Sequence, residues 1–387
     1  MTNQCDTINE LILQPTPFCN IDCKYCYLPL RNRAVRMSDA VMTAVFERIF
    51  NSPLAGDHLS VVWAVGEPMS LPIDFYEQAM AIARAAKPTH LSIRHGFQTN
   101  ATLVTPEWCR FLKDQDIAAC VSLDGPRYLH DSCRVTRSGL GTYDKAVEGV
   151  RLLVEHGIEV KAIVVISHPS LGFPEEIFRF FEAHGIASLG INFERIAGVN
   201  EQSSHARAGS DALVRSFLTS FFRLFQQSKT IKFLREYNPA LIPLFKQPVP
   251  RADIAKPLYH QVCVDWLGNA TLFSPTLLNM KHKRYGDFIL GNLCHDSIES
   301  LVQSDKFLRI ANEINDGVEQ CWRECAYFSV CGGGLPANKL FENGSFATTE
   351  TLDCRLTRKL LMDVFMAVSQ EQPAEAGSPP LGAAGPG

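Results

Sequence analysis

The sequence predicts an α/β fold: a partial (β/α)6 barrel of the TIM type, followed by a smaller C-terminal domain built around cysteines. Three observations predict it. Short β-rich runs alternate with amphipathic stretches between residues 9 and 195, the pattern of repeated βα units around a parallel sheet. Polar clusters sit where those runs end, and parallel barrels carry their chemistry at the C-terminal ends of their strands. Beyond residue 260 the alternation stops and cysteines gather at short spacings.

Strand runs cover residues 11–14, 59–65, 91–98, 118–123, 160–166 and 189–193, with helices expected near 38–50, 72–86, 105–115, 142–156 and 174–184. Ser38 before DAVMTAVFERIF, and Thr105 before Pro106 and Glu107, have N-cap chemistry, the second with proline in the first turn. Gly157 and Gly185 follow helices as C′ residues. Six units make a partial barrel rather than a closed ring of eight. Residues 1–8 are read as an N-terminal extension and 9–200 as the barrel. Residues 201–260 form a bridge: the polar loop GVNEQSSHARAGS leads to an apolar-periodic helix at 212–225, then to Pro239, Pro243, Pro248, Pro250 and Pro257. The second domain, 261–360, opens on VCVDWLGNATLFSP, where WLGN suggests a tight hairpin. The tail 371–387, EQPAEAGSPPLGAAGPG, is rich in Pro, Gly and Ala and expected to be disordered.

Hydrophobic residues make up 46% of the 387, enough for a sizeable core. A net charge of -4 gives no electrostatic case for nucleic acid or an anionic membrane as partner. No apolar run reaches the roughly 18 residues of a membrane span. The start, MTNQCDTINE, lacks the basic and apolar regions of a signal peptide, so a cytoplasmic location is expected. There, 13 cysteines are a poor disulfide set, because the compartment keeps thiols reduced. Their clustering argues for metal. Cys5, Cys109, Cys120, Cys133 and Cys294 stand apart and read as ordinary thiols.

The densest polar feature is PFCNIDCKYCY, which spaces Cys19, Cys23 and Cys26 as C-x3-C-x2-C directly after the first apolar run. One tight loop can then present three thiolates to a single inorganic centre, with short spacings of the kind iron–sulfur loops use. Three ligands leave a position open, the mark of a catalytic rather than a structural centre. A zinc knuckle or three buried thiols is the competing reading, although no fourth His or Cys follows until His58. Gly66-Glu67-Pro68 follow the second run, Gln98-Thr99-Asn100 the third, and Ser122, Asp124 and Gly125 the fourth. Each alone is consistent with plain turn chemistry. Near the end, CWRECAYFSVCGGG places Cys321, Cys325 and Cys331 at C-x3-C-x5-C, with Cys354 further on. Four thiolates would close a site, for an iron–sulfur cluster or for zinc.

Together these segments resemble the radical S-adenosylmethionine (SAM) enzymes. The triad, with Tyr25 before its last cysteine, is similar to the family's cluster loop. WAVGEP is similar to its GGEP motif, with Val65 in place of the first glycine, and QTNATLV and VSLDGP are similar to its cofactor-contacting strand ends. The resemblance implies that Cys19, Cys23 and Cys26 hold a [4Fe–4S] cluster whose open iron chelates SAM. It also implies SAM contacts from Tyr25, Gly66, Glu67, Pro68, Gln98, Asn100, Ser122, Asp124, Arg134 and Val165. The GEP backbone and its acidic side chain would hold the SAM amino group, and VKAIVVIS would pack under the adenine. Arg134, in HDSCRVTRSGLGTYDKA, matches an arginine near the SAM carboxylate; a surface salt bridge is its competing reading. An electron from the cluster cleaves the sulfonium to a 5′-deoxyadenosyl radical, and the protein positions it against a substrate hydrogen. A donor such as flavodoxin or ferredoxin is the implied source of that electron.

The C-terminal segment resembles the SPASM domain of peptide-modifying radical SAM enzymes, whose seven cysteines carry two auxiliary clusters. Here Ser274 and Leu335 stand in place of two of them. Cys321, Cys325, Cys331 and Cys354 remain as ligands of one auxiliary [4Fe–4S] cluster. Cys263 is left from the inner set, and whether it holds a partial cluster stays open. The phrase CGGGLPANKLFENGSFATTETLDC, with TPFCNIDCKYCYLP, resembles the GrrM-like branch, which installs cyclophane cross-links in ribosomally made precursor peptides. That resemblance implies abstraction of a Cβ hydrogen, bonding of the carbon to an aromatic ring two residues away, and electron loss to the auxiliary cluster. It names no general base. A precursor peptide with leader and core is the implied partner, its leader adding as a strand to a sheet edge. The alternatives are an anaerobic sulfatase maturase that makes formylglycine, and a non-catalytic iron–sulfur or zinc peptide-binding protein.

Overall fold

Each β-rich run is followed by enough amphipathic chain to cross back over the sheet, and this forces parallel pairing. A computed structural model describes residues 7–246, 250 and 258–371. Its frame is six strands: β1 Ile8–Leu13, β2 Ala55–Trp63, β3 Ser92–Thr99, β4 Ala118–Ser122, β5 Val160–Ile166 and β6 Ser188–Phe193. They lie side by side in chain order, all parallel. The α/β fold with a central parallel sheet is therefore as expected. Residues 1–6 of the N-terminal extension, Pro248 and Pro257 of the bridge, and the tail beyond Glu371 lie outside the described residues.

The crossover helices are α1 Asp39–Phe50, α2 Ile73–Ala86, α3 Pro106–Asp114, α4 Arg127–Cys133, α5 Tyr143–Glu155 and α6 Pro174–Ala183. Ser38 and Thr105 cap as their chemistry demands, each hydroxyl accepting from the backbone N–H three residues on, Val41 and Trp108. Helix α4 was not expected; RYLHDSC is too short to show a helical period. Apolar faces meet the sheet around an aromatic stack in which Tyr76 lies 5.3 Å from Trp63, 4.8 Å from Phe97 and 5.6 Å from Trp108. Rings in such edge-on contacts add to what burial alone contributes.

The sheet continues past the six strands. Helix α7 (Ser210–Gln227) leads to β7, Phe233–Leu234, parallel beside β6. The bridge also holds a short helix α8, Leu241–Lys246, with Pro243 in its first turn. At the other edge β8, Gln261–Val264, pairs parallel with β1, setting Cys263 opposite Ile12. The expected second domain thus begins as a strand of the barrel's own sheet, because β8 satisfies the backbone groups that β1 would leave unpaired at an edge. The WLGN hairpin forms: β9, Asn269–Thr271, folds back antiparallel on β8, with Gly268 at φ +86. A two-stranded hairpin, β10 Lys281–His282 and β11 Gly286–Asp287, follows, and β12, Gly291–Asn292, pairs with β9 to complete a 10-stranded sheet.

Helices then take over: α9 Ile298–Gln303, α10 Asp305–Glu324, α11 Phe328–Cys331, α12 Pro336–Asn343 and α13 Leu352–Cys354. A π-helical turn, Arg355–Leu360, runs into α14, Leu361–Gln370. Phe365 of α14 packs against Phe222 of α7 and Tyr237, at 6.4 and 4.8 Å. This contact ties the chain's last helix to the barrel. No helix among the described residues is long and apolar enough to cross a membrane.

Candidate active site at the barrel mouth

The loop after β1 carries Cys19, Cys23 and Cys26, all half-buried. It is stitched from both sides by backbone bonds. Asp22 N–H donates to Val135 O (2.7 Å), Lys24 N–H to Cys133 O (3.0 Å) and Cys19 N–H to Arg31 O (3.1 Å). The segment after α4 therefore clamps the cysteine loop, which explains why HDSCRVTRSGLGTYDKA sits so near the site. The 194–200 turn closes the third side: Val199 N–H donates to Tyr27 O at 3.0 Å.

Gly66 fixes how closely the second strand end can approach. Its φ is +154, and a Cβ there would fall 2.3 Å from Thr16 O and 3.1 Å from Phe18 O, both backbone atoms of the cluster loop. Only glycine fits. Val65 beside it sits at φ +64, a left-handed conformation that a β-branched residue rarely takes. Its carbonyl accepts from Gln14 Nε2 at 2.5 Å, and Asn279 Nδ2 donates to Gln14 Oε1 at 2.9 Å.

Glu67 was expected to reach the cofactor amino group with its carboxylate. In the structure it is engaged by three protein donors. The side chain is 1% exposed and accepts from Met69 N–H (3.0 Å), Thr99 Oγ1–H (2.7 Å) and Asn100 N–H (2.8 Å). Burial pushes the carboxyl up to about 7, against the pull of these bonds. Glu67 therefore ties the second strand end to the third. Pro68 O is itself engaged by the Tyr76 hydroxyl at 2.7 Å.

Asp124 is likewise engaged by protein groups. One oxygen accepts from Arg134 Nη2 and Val165 N–H, each at 3.0 Å; the other faces Arg134 Nε at 3.0 Å and accepts from the Tyr25 hydroxyl. Expected as a cofactor contact, it is the hub that sets Tyr25, Arg134 and Val165. Arg134 is 5% exposed, so its ion pair is buried and not the surface bridge of the competing reading. Burial opposes its charge, but Asp124, Tyr25 and Cys23 together hold the guanidinium protonated. Its Nη1 points to Cys23 Sγ at 3.9 Å. His130, held near 4 by burial and hence neutral, accepts from Asp124 N–H (3.4 Å) and bonds Thr142 Oγ1 (3.0 Å).

Gln98 and Ser122 meet across β3 and β4, Nε2 to Oγ at 2.8 Å. Asn100 Nδ2 donates to Asn20 Oδ1 (2.8 Å) and reaches Cys19 Sγ at 3.8 Å. Asn100 and Arg134 thus reach the cysteine loop directly, and Tyr25, on that loop, meets Asp124. Gln14, Asn20, His130 and Asn279 also contribute, as does Thr102, whose Oγ1 accepts from Asn20 Nδ2 at 2.8 Å. Only Gln14 had a signal, a polar residue ending an apolar run.

Burial pushes the Cys19 and Cys23 thiols up to about 12. Three cysteines on one short loop are a donor set that fits an iron–sulfur cluster, whose positive charge would favour the thiolates. Among the described residues, no three His, Cys, Asp or Glu side chains close on a point as ligands of one metal ion do.

At the C-terminal end, Cys321, Cys325, Cys331 and Cys354 all line one cavity of about 220 Å³. That is several times the ~30 Å³ share of a water molecule. Burial and the neighbouring Cys331 and Cys325 push Cys354 up to about 12. The set fits a four-thiolate centre. Cys263 does not join it: fully buried, it packs with Ile12, Ala64, Val65 and Leu278. Ser274 Oγ accepts from Thr276 N–H at 3.2 Å as the cap of a 3-10 turn, and Leu335 precedes α12 with its side chain exposed. Where cysteines are missing, a cap and an exposed leucine stand in their place.

Residues 13–181 match the Radical SAM superfamily. Synechocystis sp. protein sll1766, uncharacterized, is 37% identical over 94% of this chain and 92% of its own. A serine-type anaerobic sulfatase-maturating enzyme of Bacteroides thetaiotaomicron is 25% identical over 83% of this chain and 80% of its own. In fold, the chain is similar to anSMEcpe with bound AdoMet (TM-score 0.76, 20% identity, 94% of this chain and 100% of that one). It is also similar to Streptococcus suis SuiB bound to the precursor peptide SuiA (TM-score 0.67, 15% identity, 90% and 76%).

Proposed function

Because this chain belongs to the radical SAM superfamily, we propose that it is a maturase that oxidises a peptide substrate by two electrons. When bound, the cluster and SAM supply a carbon-centred radical that removes a substrate hydrogen atom, and an auxiliary cluster supplies a sink for the second electron. Cys19, Cys23 and Cys26 would hold the first cluster. The Gly66–Pro68 backbone, Gln98, Asn100, Ser122 and Tyr25 would hold SAM, with Val165 beside the adenine. Arg134, pinned by Asp124, would offer its free edge to the SAM carboxylate. Cys321, Cys325, Cys331 and Cys354 would hold the auxiliary cluster, and a flavodoxin or ferredoxin would deliver the first electron. The observation that carries this reading is the convergence of the cysteine loop with four strand ends through Glu67, Asn100 and Asp124.

Two products are consistent with that oxidation. The relatives' names favour formylglycine, made from a Ser or Cys of a peptide, since the Bacteroides maturase aligns over 83% of this chain. Cross-linking of a Cβ to an aromatic ring, as a three-residue cyclophane in a precursor peptide, is favoured by one structural observation. Cys263 packs with Ile12, Ala64, Val65 and Leu278 and lies apart from the four-cysteine cavity, consistent with ligands for a single auxiliary cluster.

The test is anaerobic co-expression with the small reading frame beside the gene, and with a Ser- or Cys-containing sulfatase peptide, followed by mass spectrometry. Loss of two hydrogens with an aldehyde that a hydrazide reagent captures gives formylglycine from serine. The same loss without an aldehyde, mapping to an aromatic residue and a β-carbon two positions on, gives the cross-link. Absence of SAM cleavage by the iron-loaded protein would sink both.

A further inference from the structure

Lys339, in the PANK stretch of α12, is 4% exposed. Lysines are seldom buried so fully unless paired. Its Nζ donates to Gly317 O at 3.0 Å and to Cys321 Sγ at 3.4 Å. Both partners lie on α10, and neither is a carboxylate. Lys339 also lines the four-cysteine cavity. Of the carboxylates around that cavity, Glu350 pairs with Lys359, and among the described residues neither Glu324 nor Asp353 forms an ion pair with Lys339. Burying an ammonium group without a counter-charge costs several kcal/mol. The anionic group nearest to hand is the Cys321 thiolate, and behind it whatever centre the four thiolates hold.

We propose that Lys339 tunes the auxiliary cluster, donating an N–H···S hydrogen bond to the ligating Cys321 and raising that cluster's reduction potential. The inference rests on the auxiliary-cluster reading above. Its physical basis is that hydrogen bonds to cluster sulfurs, and nearby positive charge, stabilise the more negative, reduced form. Gaining an electron adds one negative charge to the cluster, and Lys339 faces that charge with no carboxylate partner to divert it. A potential raised in this way makes the site a better acceptor for the electron that the substrate radical gives up. Lys339 is a positioning and tuning residue, since it touches a cluster ligand and not the substrate.

The experiment uses the full chain with Cys19, Cys23 and Cys26 all changed to alanine, so that only C-terminal iron contributes. Iron and zinc are measured first. Four irons per chain allow an EPR-monitored redox titration of this parent, of Lys339→Met and of Lys339→Arg. The expected result is a more negative midpoint in Lys339→Met by about 59 mV or more, the equivalent of a tenfold change in a one-electron reduction equilibrium. Lys339→Arg should return most of the way to the parent. Where Lys339→Met loses iron, Lys339→Gln, which keeps a donor without the charge, is titrated in its place against the same criterion. An unchanged midpoint in the charge-removing variant, or an equal fall in Lys339→Arg, overturns the inference while leaving the auxiliary cluster in place. Zinc, or no metal, in the parent overturns the auxiliary-cluster reading and the inference with it, and metal analysis alone distinguishes that failure.

Discussion

Cys19, Cys23 and Cys26 are brought together by one loop, whereas Cys321, Cys325, Cys331 and Cys354 come from helix ends separated by a glycine turn and a long excursion through α12. The first site is local in sequence but depends on distant groups for its frame: Glu67, Asn100, Asp124 and the backbone beyond α4 hold it in place. The second is assembled by tertiary packing, yet its frame is local, with Lys339 reaching back to α10. A three-thiolate site needs a rigid surround because its open position must face a bound cofactor. A four-thiolate site is held by its own ligands once they meet. The two sites should therefore fail in different ways.

The sharpest break is Gly66→Ala. A Cβ at 2.3 Å from Thr16 O cannot be relieved by a rotamer change, since the atom it meets is backbone. Strain of this kind, added to a φ of +154, is expected to cost about 4 kcal/mol or more, taken from the cluster loop. SAM-dependent cleavage should vanish and iron should fall to the C-terminal share. Full iron and normal cleavage would show that the loop is not set by this approach.

Next in size is Asp124→Asn. The ion pair with Arg134 is buried on both sides, and breaking such a pair leaves an uncompensated charge at a cost of about 4 kcal/mol. Tyr25, Arg134 and Val165 would lose their common anchor. Thermal unfolding should shift down, and SAM affinity should fall further than iron content. If SAM affinity holds, the hub does not position the cofactor.

The pH dependence of stability sharpens the same contrast. Glu67 titrates near 7 in the fold against 4.5 for an ordinary carboxyl, so the unfolded chain releases this proton first as pH rises. Stability from this group is complete below about 4.5, falls at about 1.4 kcal/mol per pH unit towards 7, and is flat beyond, a total near 3 kcal/mol. Glu67→Gln should flatten that slope while leaving one of its three donors unsatisfied. An unaltered slope in denaturant melts between pH 4.5 and 7 would place the titration elsewhere.

Much of this was legible in the sequence for a physical reason. The cysteine triad, the GEP turn and the strand ends are short-range patterns, and backbone geometry fixes what short spacings can do. The six strands were legible because parallel, buried runs are apolar and regularly spaced. What could not be read were partners across the fold. Donors that Glu67 and Asp124 accept from, such as Asn100 and Val165, lie far from them in the chain. Gln14 and Asn279 bond across a separation of 265 residues. The union of β8 with β1 is a pairing of parallel strands far apart in the chain, which no local pattern announces. Lys339 carried no mark beyond its apolar neighbours.

The smallest effect tests whether Cys263 belongs with either site. It is fully buried opposite Ile12, among Ala64, Val65 and Leu278, and burial holds its thiol well above the ordinary value. It does not line the cavity that Cys321, Cys325, Cys331 and Cys354 share, and its Sγ faces Gln261 Oε1 at 3.8 Å. Cys263→Ala removes one sulfur from the core and should cost about 1 kcal/mol, as for other small cavities. Iron content, the auxiliary-cluster EPR signal and SAM cleavage should all match the parent. Cys354→Ala, by contrast, should lose the C-terminal iron at once. If Cys263→Ala also loses iron, the inner cysteine still works with a partner outside its apolar wall, and the contrast between one auxiliary site and two would have to be drawn again.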